Sequence, residues 1–448
     1  MEGRLSQEKR QAITRITVAG YKSIREEQSI EIRPLTLLAG ANSSGKSSIM
    51  QPLLLLKQTL EATYDPGPLL LNGPNVKFTS VEQVLSRTSP TEPADAFSVG
   101  VWIGDDAFVT YFRPQARRGF GIQRMDYIRT PAYLSSLGRR ERITLRENMT
   151  HDEILALIPG DIKGLYDAFP NRESVKPVLV VVRNRCFLGL ELQAKDLKIP
   201  FFPQTEEIES NIRHTIHLPG LRGNPERAYP VTAVGSTFPG TFEKYTASVI
   251  AQWQTDGDRD HLARLTQDLK QLEINWQVTA RRINDTQVEL QVGRLARDPE
   301  NQARDLVNIA DVGFGVSQTL PVLVALQAAE PGQLVCLEQP EIHLHPRAQA
   351  AMAQVLAAAA RRGVRVVAET HSALLLLGVQ TLVAEGKLSP ELVKLHWFTQ
   401  RADGATEISS CDLDETGAFG DWPQDFGLVE LEAESRYLDA VEAHYGDR

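Results

Sequence analysis

The chain has three cysteines in 448 residues, Cys186, Cys336 and Cys411, far apart in sequence. That excludes a disulfide framework and a cysteine-based metal knuckle, and it fits a reducing compartment. Cys336 sits in an apolar run and reads as a small core residue. Long apolar runs are also missing. Near the N-terminus the longest is Leu53 to Leu56, beside Lys57. Nothing approaches the roughly 18 residues of a membrane span, so no membrane-embedded transporter is expected in this chain. The opening MEGRLSQEKRQ has no apolar segment behind its charges, so no signal peptide is expected, and with the sparse cysteines the expected compartment is the cytoplasm. Basic charge is in deficit, with 48 Lys+Arg against 57 Asp+Glu and a net charge of -9. Bulk electrostatics therefore do not coat nucleic acid, and any DNA contact needs a local basic surface. Arg117-Arg118, Arg139-Arg140 with Arg142, and Arg281-Arg282 are the candidates, against the plainer reading of each as a solvated face. Internal repeats, low-complexity tracts and sustained heptads are lacking as well.

What is present is a chain long enough for two or three domains, 42% hydrophobic. Short strands are predicted at 13–18, 28–32 and 35–38, followed by a helix from Lys46 to Ala62. Residues 96–112, 119–128 and 178–192 are strand-like. The Gly- and Pro-rich stretch 218–240 reads as loop. Leu262, Leu265, Leu269 and Leu272 mark one helix face, and 274–292 a hairpin around Asn284-Asp285. From Asp311 onward, helices and buried strands alternate: a helix after Ser317, strand 334–338, a helix over Pro346 to Arg361, strand 364–370, and a helix after His371. This predicts an α/β fold in which the two ends form one domain, a mixed or parallel sheet flanked by helices. The expected organisation is an N-terminal part of the α/β domain at 1–90, a β-rich insertion without long coiled coil at 91–300 that partly continues the core, and a C-terminal part of the α/β domain at 301–448.

Gly40-Ala41-Asn42-Ser43-Ser44-Gly45-Lys46-Ser47 fits the phosphate-loop pattern, between an apolar strand and the helix that begins with Lys46 and Ser48. The glycines let backbone N–H groups face phosphate oxygens, and the helix aims its positive N-terminus at the same anion. Lys46 is expected at the β/γ-phosphates and Ser47 on Mg²⁺. After strand 334–338, Glu338 is the second expected Mg²⁺ residue. Gln339 stands where a water-polarising base normally stands; it can orient water but cannot take its proton. Glu341 is either a substitute base or a helix cap. His343 and His345 alternate as metal ligands would, but no Cys or third His lies close by, so they read as loop residues. His371, at the next strand end, is a γ-phosphate sensor or a helix cap on the edge where ligands sit in open α/β folds. Gly313-Phe314-Gly315-Val316-Ser317-Gln318 alone is a glycine turn with an N-cap serine. Placed between a P-loop and a carboxylate strand, it reads as a segment completing a second chain's ATP site.

Together these segments resemble ABC-type ATPases of the RecF/SMC/OLD branch. More closely they resemble compact bacterial ATPases carrying NSSGKSS, GFGVSQ, EQPEIHLHP and ETHS; here these are Asn42 to Ser48, Gly313 to Gln318, Glu338 to Pro346 and Glu369 to Ser372. The resemblance extends to LRGNPERAYP (221–230) and GDWPQDF (420–426), and is weakest over 90–210. It implies ATP and Mg²⁺ as cofactors. It also implies a head-to-tail homodimer in which Gly315, Ser317 and Gln318 of one chain meet the nucleotide of the other, with Lys22 and Ser23 near the nucleotide. Such ATPases often stand beside nucleases in anti-phage systems. The stretch after His371 is short for an OLD-type nuclease domain, so an effector nuclease is expected on a separate chain. A DNA-repair clamp with DNA as partner and a non-hydrolysing scaffold are the alternatives.

Overall fold

The computed structural model describes residues 11–87, 93–116, 119–130, 140–167, 177–194, 197–203, 205–274, 277–293 and 305–420, together with 435, 436 and 438. The chain opens with β1 (Ile13–Ala19), β2 (Gln28–Glu31), β3 (Leu35–Gly40) and helix α1 (Lys46–Glu61). Next come β4 (Phe97–Ile103), β5 (Asp106–Gln115), β6 (Gly119–Arg129), β7 (Glu141–Leu145) and two short helices, α2 (His151–Leu157) and α3 (Gly160–Asp167). The middle continues through β8 (Val178–Asn184), β9 (Phe187–Ala194), β10 (Leu197–Phe202), α4 (Glu206–His214), β11 (Ile216–Leu218) and β12 (Tyr229–Pro230). It closes with α5 (Thr246–Thr255), α6 (Arg259–Gln271), β13 (Val278–Arg282), β14 (Gln287–Gly293) and β15 (Leu306–Asn308). The C-terminal part is α7 (Phe314–Ala328), β16 (Leu334–Glu338), α8 (Pro346–Arg361), β17 (Arg365–Glu369), α9 (Ala373–Ala384), β18 (Val393–Gln400) and β19 (Thr406–Cys411).

The sheet that positions the site has the order β11-β16-β17-β3-β18-β19. Its pairs are parallel except β18 with β19. Because successive strand residues point to opposite faces, each central strand feeds two cores. Leu35, Leu37, Val335, Leu337, Val366 and Ala368 pack with α5 to α9. Leu38, Leu334, Cys336 and Val367 pack on the other face with α1. This is why these strands read as continuous apolar runs rather than alternating ones. The fold is α/β, with a mixed sheet flanked by helices and no long coiled coil among the described residues.

The second sheet, β2-β1-β4-β5-β6-β7, is antiparallel and shares the core around α1. It joins strands from the first 31 residues to strands at 97–145. The strand β11, at 216–218, is an edge of the parallel sheet. The middle of the chain therefore threads through both sheets, a pairing that strand-by-strand reading does not reveal. Among the described residues it also carries five helices besides its strands. One helix start differs from expectation: α7 begins at Phe314, so Ser317 lies inside its first turn rather than before it. Among the described residues, no helix is long and apolar enough to cross a membrane. Cys186, Cys336 and Cys411 are free thiols.

Candidate functional site

Strands β3, β16 and β17 end together. Glu338 pairs in register with Glu369, which pairs in turn with Leu38, two residues before Gly40. Everything that follows these three strand ends is thereby brought to one edge of the sheet.

The loop after β3 turns through Ser43 (φ 63) and Gly45 (φ 97), both left-handed. Gly45 is required sterically as well as conformationally: a Cβ there would meet Thr406 Oγ1 at 2.2 Å and Ser23 Oγ at 2.7 Å. α1 then starts at Lys46 with no side-chain cap, leaving first-turn N–H groups without intrahelical partners. Asn42 and Ser43 are exposed, while Ser44 and Ser48 are buried. Lys46 is buried, and its Nζ donates to the carbonyls of Gly40 (3.0 Å) and Ala41 (2.6 Å). Burial lowers its pKa against the opposing pull of Glu369. Ser44 Oγ and Glu341 Oε2 are buried without a hydrogen-bond partner. First-turn N–H groups, a buried ammonium and orphaned polar atoms on the loop and strand ends of one sheet edge are what a polyphosphate with a divalent cation would satisfy, so ATP and Mg²⁺ fit the residues present. Among the described residues no cluster of three metal-ligating side chains is preformed. Mg²⁺ does not need one when substrate phosphates and water complete its shell.

The carboxylates divide differently from the sequence expectation. Ser47 Oγ donates to Glu369 Oε2 at 2.8 Å. Glu338, expected beside Ser47, instead accepts from His217 Nε2 at 3.2 Å and from Gly220 N at 3.0 Å. The tautomer of His217 follows from its neighbour: Asn75 Nδ2 donates to Gly240 O (2.9 Å) and to His217 Nδ1 (3.1 Å), which leaves the proton on Nε2. Burial raises the Glu338 pKa, but the His217 contact, the Gly220 N–H and Arg222 outweigh it and hold the carboxyl below its usual range. For Glu369 burial wins and the pKa is raised, despite the Ser47 hydrogen bond.

Gln339 has φ 47, rare for a residue with a side chain, and its N–H donates to Glu369 O at 2.8 Å. Arg222 spans the strand end, with Nη2 on the carbonyls of Glu338 (2.7 Å) and Gln339 (3.2 Å) and Nη1 on Gln318 O (3.0 Å). Burial brings its pKa down to about 10. Glu341 does not cap α8; His345 accepts from Arg347 N there. Glu341 Oε1 instead accepts from Thr370 Oγ1 (2.6 Å) and His371 N (3.1 Å), tying the two strand ends together. His371 is not a cap either, because Ser372 caps α9. Burial and the neighbouring Lys46 lower the pKa of its half-buried ring, against a hydrogen bond to the Gly40 backbone.

Ser23 lies against Gly45 through Thr406, whose Oγ1 donates to Ser23 Oγ at 2.8 Å. Lys22 is pinned to α1, its Nζ 2.6 Å from Gln51 Oε1 and 4.7 Å from the Phe78 ring centroid. Ser317 is not an N-cap: its Oγ donates to Phe314 O at 3.0 Å. Gln318 turns inward, its Nε2 donating to Gly223 O at 2.7 Å. A Cβ on Gly315 would crowd His343 O at 3.1 Å, so the start of α7 packs closely on the loop after β16. Sequence reading missed Glu369, His217, Arg222 and Asn75. Glu369 and Arg222 stood in quoted motifs; His217 and Asn75 had no local signal.

The basic candidates are paired where described: Arg140 with Asp105, Arg142 with Asp126, Arg281 with Glu289 and Arg282 with Asp285. Arg117, Arg118 and Arg139 lie outside the described residues, as does the GDWPQDF segment beyond Gly420.

A phosphate loop, adjoining strand-end carboxylates and a following histidine on a parallel sheet edge define an ATP-binding P-loop ATPase. Two family models agree: "AAA ATPase domain" matches residues 12–97, and "AAA domain, putative AbiEii toxin, Type IV TA system" matches 168–377. None of the curated proteins compared matches this chain. Solved structures similar to it include the SmcHead bound to the C-winged helix domain of ScpA, at 12% identity and TM-score 0.45, covering 90% of this chain and 98% of that one. The Smc head domain with an extended coiled coil, derived from Pyrococcus furiosus, is 12% identical with TM-score 0.43 over 96% and 99%. The SMC head domain from Thermotoga maritima is 8% identical with TM-score 0.38 over 89% and 98%. These are distant likenesses of overall form.

Proposed function

We propose that this protein is an ATP-dependent switch: a slowly hydrolysing, ABC-type ATPase whose two copies close head to tail on ATP and Mg²⁺. The observation that carries the reading is the convergence of Lys46, Ser47, Glu338, Glu369 and His371 on one sheet edge. On nucleotide binding, Lys46 exchanges two backbone carbonyls for phosphate oxygens. Ser47 and Glu369 would hold Mg²⁺, which would supply neutralisation of the phosphate charge, while His217 holds Glu338 on the neighbouring strand. Gln339 orients water without accepting its proton, so turnover is slow. His371, whose pKa burial lowers, would donate a hydrogen bond to the terminal phosphate.

The second copy would meet this site with Ser317 and the start of α7. Leu221 and Phe314, 83% and 50% exposed, supply apolar surface beside that segment. The role assigned is the ATPase of a bacterial anti-phage complex whose nuclease is a separate chain; the toxin–antitoxin description of the matched family supports a conflict-system setting. A non-hydrolysing scaffold is the second reading, favoured by Gln339. The test is solution mass and distance labels across the site, with and without ATP·Mg²⁺, on wild type, Lys46→Ala and Ser317→Arg. Nucleotide-dependent closure in the wild type alone is expected. Identical behaviour of all three sinks the switch.

A further inference from the structure

The loop after β11 leans on the first two turns of α7 and bounds a cavity of about 540 Å³, within the range of small-molecule sites. Tyr229, Tyr245, Leu290, Ile309, Leu320 and Pro321 line it. The Tyr229 hydroxyl accepts from Glu226 N at 3.2 Å, and the Tyr245 hydroxyl donates to Pro239 O at 2.9 Å. Both phenols are thus engaged, and these residues offer the cavity ring surface.

Three residues of the same wall hold polar atoms that are buried without a hydrogen-bond partner: Nε of Arg222, Oε2 of Glu243 and Oγ1 of Thr246. Arg222 and Thr246 are 7% and 3% exposed. Native interiors leave few such groups unpaired, and each one calls for an explanation. Here a donor, an acceptor and a hydroxyl, which is both, belong to residues that line one largely apolar cavity. The other groups of Arg222 and Glu243 are already spent: Nη1 and Nη2 on backbone carbonyls, Oε1 on Thr241 Oγ1.

We propose that this cavity binds a nucleobase: a planar heteroaromatic ring with an exocyclic amino group beside a ring nitrogen or carbonyl. The amino group donates to Glu243 Oε2, the adjacent acceptor takes the Arg222 N–H, and the ring lies on the tyrosine and proline surfaces. Small side-chain rotations bring the three orphaned atoms to the ligand. The base would come from a free nucleoside or from an unstacked nucleic-acid strand. Ser317 also lines the cavity, and Arg222 holds the carbonyls of Glu338 and Gln339. Occupancy would therefore bear on closure, a consequence that rests on the switch reading; the binding itself does not.

The test is calorimetry of adenosine, guanosine, cytidine and uridine with full-length wild type and Lys46→Ala, in which phosphate-loop binding is disabled. A short single-stranded oligonucleotide forms a second arm. Amino-bearing bases are expected to bind both proteins alike, with uridine at least tenfold weaker. Glu243→Gln places a donor where the acceptor stood and is expected to lose at least tenfold; Thr246→Val, nearly isosteric, is expected to weaken binding with an unchanged circular dichroism spectrum. Binding of the oligonucleotide alone, lost in Glu243→Gln, assigns the strand as source. No binding in either arm overturns the proposal, and so does binding that both variants leave unchanged. If the switch reading fails but the cavity is real, nucleosides still bind while ATP has no effect on closure.

Discussion

Ser47 Oγ hydrogen-bonds Glu369 at 2.8 Å, while Glu338, the register partner of Glu369, turns away to His217. The hydroxyl of the phosphate loop is thus paired with the acid on the middle strand rather than the acid on the strand beyond it. Glu369→Gln is expected to weaken Mg²⁺-dependent ATP binding more than Glu338→Gln does. A Mg²⁺ titration of nucleotide affinity, followed by single-turnover hydrolysis, ranks the two. The reverse order would return the metal role to Glu338.

His217 positions Glu338 through the 3.2 Å contact of its Nε2 with Oε1. His217→Phe removes the donor to the carboxylate and leaves Asn75 Nδ2 without one acceptor. Each buried group left unpaired costs about 1–3 kcal/mol. A lower Tm is expected together with a shifted Mg²⁺ dependence. His217→Gln, which keeps a donor, is expected to restore part of the Mg²⁺ response; a loss of stability with no Mg²⁺ effect would leave His217 a packing residue.

Gln339 occupies the usual position of a base, and removal of a general base typically costs about 10²–10⁴-fold. Wild-type turnover should therefore lie well under about 10 s⁻¹, and Gln339→Glu should raise it. Fast wild-type hydrolysis, indifferent to this change, would place the base elsewhere.

Stability should respond to pH through two buried groups of opposite sign. His396 donates and accepts between Glu31 O and Ser410 Oγ, joining the two sheets, and burial lowers its pKa to about 4. The unfolded chain then binds the extra proton below about 6.5, so this contribution is full above that pH and is lost as pH falls towards 4. Asp268, on α6, is raised by burial to about 6. The folded state holds its proton there, so stability falls as pH rises from about 4 to 6. The two slopes oppose one another. Asp268→Asn removes one, and denaturant melts between pH 4 and 7 should show a steeper rise with pH than wild type. Equal slopes would mean that Asp268 is ionised at its usual pKa.

The sequence by itself determined the local units. An apolar strand, a glycine loop and a leucine-rich helix specify the strand–loop–helix of β3 and α1, because backbone curl and helix polarity are local properties. Alternating buried strands and helices from Asp311 likewise specify the parallel sheet, and GFG before an apolar run specifies a helix start, to within three residues. Only the tertiary structure decided which strands are neighbours and hence which acid meets which hydroxyl. β17 lies between β16 and β3, so Glu369 faces Ser47; no spacing in the chain encodes that order. The same holds for His217 and Asn75, which are 142 residues apart and become partners of one another, and His217 of Glu338, only when β11 adds to the sheet edge. Hydrogen bonds across such distances depend on packing of whole elements, and packing is a property of the assembled cores.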